Sequence, residues 1–229
     1  MPVLTIPKET IKRLFLYYRA LLESRQTDFI SSEELAKLTG SASAQIRKDL
    51  TYFGEFGTPG KGYRIEELSQ QIKNILGIDR DWEIILAGVG NVGRALLSYQ
   101  GLKTQGFKIT YLFDNDPEKI GKTCAGLKIN DIKMLKDEIQ DKNIKMAVVA
   151  VPANSAHEVV NILVDAGIKA IINFAPTFIF APRAVRILNI DITNELARLS
   201  YYLSNPVTSG KDDFPAPSAP MDSDVGEWE

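Results

Sequence analysis

Apolar residues recur at positions 11, 14, 15, 18, 21 and 22 of KETIKRLFLYYRALLESR, the one-sided stripe of an amphipathic helix. In the next segment, SSEELAKLTG, Ser31 and Glu34 have the spacing of a capping box and Gly40 fits a C-terminal stop. SASAQIRKDLTYFG predicts a third helix, opening near Ser41 or Ser43, stopping at Gly54 and turning Ile46, Leu50 and Phe53 inward. Two short helices joined by about three residues form a helix-turn-helix candidate. GTPGKGYRI, with its glycines and proline, suits a tight hairpin, and EELSQQIKNILG predicts a fourth helix. IDRDW is a short connector.

Beyond it the pattern changes. EIILAG, FKITYLFD, KMAVVAV, KAIINF and VRILNID are near-continuous apolar runs, separated by helical stretches at 91–105, 131–141 and 154–166. Apolar runs alternating with helices indicate a parallel sheet covered on both faces. TNELARLSYYL predicts a last helix, capped by Thr193 with Glu195 close behind. The expected organisation is an N-terminal domain over 1–78, an α/β domain over 79–204 and a tail over 205–229. The tail is rich in Pro, Ser and Asp, has too little apolar surface to bury, and is expected to be disordered.

Charge changes the picture only locally. Residues 1–78 hold 11 Lys+Arg against 9 Asp+Glu, residues 79–204 hold 15 against 14, and the tail holds 1 against 6. The net charge of -2 is therefore a property of the tail. No apolar run reaches the roughly 18 residues of a membrane helix, and the N-terminus lacks a signal-peptide pattern. The single cysteine, Cys124, has no internal disulfide partner and no neighbouring metal ligands, which suits a reducing cytoplasm and a site without metal.

The segment ILAGVGNVGRALLSYQG joins a strand to a helix through Gly88, Gly90 and Gly93. In such a turn the first glycine permits the bend, the second lets backbone approach a pyrophosphate, and the third lets helix and strand pack closely. Val89, Asn91 and Val92 complete it, and the helix start offers free N–H groups to phosphates. The next strand ends in Asp114, 21 residues after Gly93, where an acid can bond a ribose 2′-OH and would repel a 2′-phosphate. NAD and NADH are thus the expected ligands, against the plainer reading of an unliganded turn. Val151 and Pro152 end another strand at the same sheet edge. Asn154 or Ser155 can equally start the helix there, and His157 reads as a surface or capping residue.

No catalytic residue is assigned. A dehydrogenase needs a proton acceptor near the substrate carbon. The only Tyr-x-x-x-Lys spacing, Tyr99 to Lys103, falls on the helix after the glycine turn, and little chain remains for a substrate domain. An NAD-dependent oxidoreductase with an accessory N-terminal domain is the alternative. The third helix instead carries Ser43, Gln45, Arg47 and Lys48, residue types that can reach base edges from a major groove. Lys61 and Arg64 flank the hairpin glycines, as in a wing that touches phosphate or the minor groove. The competing reading is a four-helix protein-interaction module.

IRKDLTYFGEFGTPGKGY, GVGNVGRAL, FDNDPEKIG, INFAP and IDITNELARLSYYL together resemble the Rex family of bacterial redox-sensing repressors, over residues 5 to about 204. The resemblance implies an N-terminal winged helix-turn-helix domain and a C-terminal Rossmann-type parallel sheet. It also implies a homodimer through a swapped final helix, and palindromic operator DNA bound when NADH is scarce and released by NADH. By match, Tyr99, Asn173 and Phe174 would lie near the nicotinamide. Arg19, Tyr99 and Asp191 could relay between nicotinamide and DNA domain, although Asp191 can equally cap the last helix beside Thr193.

Overall fold

The computed structural model describes residues 6–24 and 27–205, so most of the tail, from 206 on, lies outside the described residues. The chain divides at Asp79/Arg80 into two compact units.

The first unit holds four helices, α1 (Lys8–Glu23), α2 (Ser32–Thr39), α3 (Ser43–Thr51) and α4 (Ile65–Leu76). The capping box is present: Ser31 Oγ accepts from Glu34 N–H at 3.1 Å while Glu34 reaches back to Ser31 N–H at 2.7 Å. Gly40 ends α2 in the left-handed region, φ 65°, as a glycine stop requires. Two short strands, β1 (Phe29–Ile30) and β2 (Tyr63–Arg64), pair antiparallel, so the hairpin over 57–63 hangs from a miniature sheet in front of α2. Leu14, Tyr17, Leu21, Leu35, Ile46, Leu50, Leu68 and Ile72 form the core. Phe53, expected to face inward, is only half-buried because α3 ends at Thr51, before the predicted stop.

The second unit is a seven-stranded sheet of β3 (Trp82–Ala87), β4 (Phe107–Asp114), β5 (Thr123–Cys124), β6 (Leu127–Asp131), β7 (Met146–Val149), β8 (Ala170–Asn173) and β9 (Arg186–Asn189), in the order β5-β6-β4-β3-β7-β8-β9. Counting parallel strands alone, the order is 3-2-1-4-5-6, a Rossmann-type sheet that reverses direction beside β3. The expected helix 91–105 is two helices, α5 (Asn91–Ser98) and α6 (Gln100–Thr104), with Tyr99 between them at ψ 103°. The exposed Tyr99 ring folds back over Gly101, its tip within 2.5 Å of where a Cβ would stand. The hairpin β5–β6 was not expected. Its signal is a three-residue alternation, Leu127 and Ile129 inward around Lys128, too short to register as a period. The expected helix 131–141 contracts to a 3₁₀ turn and α7 (Leu135–Ile139); α8 (Ala153–Asp165) follows β7.

The last strand ends at Asn189 rather than Asp191, and the last helix, α9 (Ile192–Ser204), is capped by Asp191 rather than Thr193. The Asp191 carboxylate accepts from Thr193 N–H at 2.9 Å and from Asn194 N–H at 3.4 Å. No residue of α9 is buried within the chain.

Candidate nucleotide edge and DNA-reading face

The glycine turn joins β3 to α5. Gly88 holds φ +98°, and a Cβ there would come within 2.4 Å of Ala150 O. A Cβ on Gly93 would lie 2.1 Å from Gly88 O, so α5 packs against the turn with no room for a side chain. Gly90 is different: nothing comes within 4 Å of its missing Cβ, which leaves the backbone open to a ligand. Asn91 and Val92, the first residues of α5, are exposed, and no side chain caps that helix. Its first N–H groups are therefore available to an anion.

Asp114, buried at the end of β4, organises this edge. One carboxylate oxygen accepts from Val89 N–H at 2.8 Å and from Lys119 Nζ at 3.1 Å; the other accepts from Asp116 N–H at 3.0 Å. Burial alone would raise its pKa, but these donors and the Lys119 charge outweigh it, so the group stays below the usual carboxylate range and is ionised. A carboxylate has about four acceptor positions, so three donors leave one on the oxygen facing Asp116. Asp114 therefore fixes the turn, with one acceptor position left over.

Val151, half-buried, and Pro152, exposed, lead from β7 into α8. Neither Asn154 nor Ser155 caps α8, whose N-cap position is Pro152. His157 is exposed on its surface. Phe174 is half-buried against the cluster of Val89, Leu96 and Met146 on the α5 side of the sheet. Asn173 is engaged within the chain. It is fully buried, its amide nitrogen donates to Thr177 O at 2.8 Å and to Asn189 Oδ1 at 2.9 Å, and its oxygen accepts from Ala175 N–H at 3.0 Å. Its side chain fixes the loop that carries Phe174. Tyr99 lies beyond the far end of α5, about 12 Å along the helix axis from the turn at 1.5 Å per residue. There it lines a small cleft with Leu102, Phe107 and Leu127, at the amino-terminal ends of the strands. That cleft lies at the end of α5 opposite the glycine turn.

In the first unit α3, α2 and the hairpin surround an open cleft of about 650 Å³, lined by Ser32, Glu33, Arg47, Thr51 and residues 54–63. Lys48 and Lys61 are exposed, and Ser43 is half-buried. Arg64 pairs with Glu67 at 3.1 Å on the surface. Arg47 Nη1 donates to Ser32 Oγ at 2.7 Å and to Glu33 Oε1 at 3.2 Å. Gln45 is half-buried, and its amide donates to Asp49 Oδ1 at 2.8 Å. Arg19 is exposed on α1.

Asp49 is the residue that sequence reasoning missed. It is wholly buried and accepts from Thr10 Oγ1 at 3.0 Å, Arg13 Nε at 2.6 Å, Arg13 Nη2 at 2.8 Å and Tyr17 Oη at 2.8 Å, besides Gln45. Burial would raise its pKa, but the hydrogen bonds from Arg13, Tyr17, Gln45 and Thr10 hold it below the usual range. The same burial, together with Asp49, pushes the Tyr17 phenol up to about 12. Asp49 thus ties α3 to α1 and fixes how α3 is presented. The available signal was its spacing, three residues after Ile46 on the inward stripe.

Two family models match, the "CoA binding domain" over residues 79–177 and the "Putative DNA-binding protein N-terminus" over residues 5–51. The redox-sensing transcriptional repressor Rex of Syntrophomonas wolfei is 43% identical over 206 residues, 89% of this chain and 98% of that protein. The Rex of Syntrophobacter fumaroxidans is 46% identical over 202 residues, 87% of this chain and 96% of that protein. Among solved structures, RSP in complex with β-NAD+ and operator DNA matches with a TM-score of 0.84 at 34% identity, covering 88% of this chain and 94% of that one. RSP in complex with β-NADH matches with a TM-score of 0.77 at 32% identity, covering 88% and 95%.

Proposed function

The chain belongs to the Rex family of redox-sensing transcriptional repressors, and from that premise we propose that it binds operator DNA when NADH is scarce and releases it when NADH binds. One observation carries the reading: a single chain holds both a helix-turn-helix with a wing and a 3-2-1-4-5-6 sheet whose glycine turn is open and uncapped. NADH and NAD are regulatory ligands here, not substrates. Gly88 to Gly93 take the pyrophosphate, Asp114 takes a ribose hydroxyl through its last acceptor position, and Val151, Pro152 and Phe174 border the nicotinamide end. The oxidised ring carries a charge and the reduced ring does not. An apolar border disfavours the charged form, since burying an unpaired charge is costly. A hundredfold preference needs only about 2.7 kcal/mol. Arg47, Lys48 and Lys61 face DNA.

The protein works as a homodimer. Ile192, Leu196, Leu199 and Leu203 form an exposed apolar stripe along α9, and Ile172 and Leu188 leave the outer end of the sheet uncovered on the same face as α5. An exchanged α9 satisfies both surfaces, and two-fold symmetry then matches a palindromic operator. A role for Tyr99 at the nicotinamide is confined to the partner's ligand, as part of the relay with Arg19 and Asp191. Among the described residues no helix is long and apolar enough to cross a membrane. A repressor of this kind acts on DNA in the cytoplasm.

The test is fluorescence anisotropy of a labelled palindromic operator with the full chain, titrated with NADH, NAD and NADPH. NADH should release the DNA at far lower concentration than NAD. Release by none of the three, or by all equally, overturns the reading. Replacing Leu196 and Leu199 by Asp should shift the protein from dimer to monomer in sedimentation; an unchanged dimer puts the interface elsewhere.

A further inference from the structure

Arg47 is the cation on α3 that side chains of α2 engage, in a pair whose members are both more than half exposed. Its Nη1 carries two N–H groups, and the structure gives each an acceptor, Ser32 Oγ at 2.7 Å and Glu33 Oε1 at 3.2 Å. Ser32 is buried at the start of α2, so one of the two anchors is rigid. Glu33 and Arg47 both line the cleft between α3 and the wing. Arg47, Glu33 and the buried Tyr63 share one environment: burial raises the Tyr63 phenol, the Arg47 charge opposes that, and the Glu33 charge adds to it. A carboxylate on a DNA-facing cleft is unfavourable for phosphate binding as a bare charge. The pair becomes useful if the arginine keeps it when DNA is bound.

We propose that Glu33 and Ser32 are positioning residues that occupy Nη1 of Arg47 and present its remaining Nε–Nη2 edge to a guanine in the operator. A guanidinium has five donors in a fixed plane, and two parallel N–H groups suffice for the O6 and N7 acceptors of guanine. Tethering Nη1 therefore costs nothing in base readout and removes rotamer freedom before binding. Immobilising such a side chain costs about 0.5–1.5 kcal/mol, so prior anchoring corresponds to roughly a 2- to 12-fold gain on the operator alone. The inference rests on the proposed DNA reading by α3.

The sign of the effect tests it. Removing a carboxylate ought to strengthen DNA binding through charge alone. Under the positioning role Glu33→Ala instead weakens operator binding roughly 2- to 12-fold and leaves binding to a scrambled duplex unchanged or tighter. Glu33→Gln, which keeps an acceptor oxygen, retains most of the operator affinity. In an Arg47→Ala background Glu33→Ala no longer weakens the operator. Each variant is assayed as the full chain by anisotropy at matched salt, with both duplexes. Operator binding that tightens or does not change, a scrambled duplex that weakens equally, or a loss that persists without Arg47 overturns the proposal. If the unmutated chain does not prefer operator to scrambled DNA, the proposed function fails, and this inference with it.

Discussion

Replacing Asp49 by alanine removes one carboxylate and takes the acceptor from five donor groups on four residues. Thr10, Arg13, Tyr17 and Gln45 all converge on that carboxylate at 2.6–3.0 Å, and its side chain is 0% exposed. Breaking a buried ion pair by removing one partner costs about 3–5 kcal/mol, because the remaining charge is left uncompensated. Arg13 is 29% exposed and can recover some hydration, which pulls the cost toward the lower figure. The Tyr17 hydroxyl is buried and keeps only Ser41 as a partner, so losing its acceptor costs about 1 kcal/mol more. A loss of about 4 kcal/mol is expected. In a domain of this size that lowers the midpoint by roughly 15–30 °C. The readout is amide hydrogen exchange across α1 and α3 in the full chain, which reports opening of that unit alone. Arg13→Ala combined with Asp49→Ala should cost clearly less than the sum of the two single changes. The pH dependence has a defined sign. Asp49 is depressed in the folded state, so its contribution is present above the unfolded carboxylate value of about 3.9 and is lost as pH falls through the folded value. Tyr17 is raised to about 12, so its contribution holds below about 10 and is lost as pH rises from there through 12. If α3 amides lose less than about 1 kcal/mol of protection, or the two substitutions add, Asp49 is not the hub described.

Asp114→Ala should weaken NADH roughly 10-fold or more, the worth of a charged hydrogen bond, and NADPH less; calorimetry showing tighter NADPH than NADH binding by the unmutated protein refutes the ribose assignment. Lys61→Ala should weaken operator and unrelated DNA by the same factor and reduce the salt slope by about 1, whereas Arg47→Ala should cost roughly 1–3 kcal/mol on the operator alone; unchanged affinity in both moves the contact surface elsewhere. Tyr99→Phe and Asp191→Ala should raise the NADH concentration needed for release while each binding event stays nearly intact, since such coupling is worth about 1–3 kcal/mol. Release at the original NADH concentration in both would leave the switch to domain closure around the ring.

Local chemistry was legible along the chain because its determinants lie within a few residues of each other. The α2 capping box, the helical stripes of α1 and α4 and the glycine turn all depend on spacings of three to seven residues. Gly88 and Gly93 could be given turn-forming and packing roles from the sequence because backbone sterics dictate them. Other features depend on what the chain brings together over long separations. Asp49 reads as a surface charge until α1, more than thirty residues earlier, supplies Arg13 and Tyr17. Nothing in the sequence around Asn173 shows that Asn189 and Thr177 take up its amide. The strand β6 pairs with β4 and β5, partners that the short alternation of LKIND does not announce. Tyr99 follows a nucleotide turn in sequence, yet the rise of α5 carries it to the other end of the sheet. A sequence specifies the period and the caps of each element, but which buried groups find partners, and at which end of an element a side chain emerges, is decided only when the elements pack.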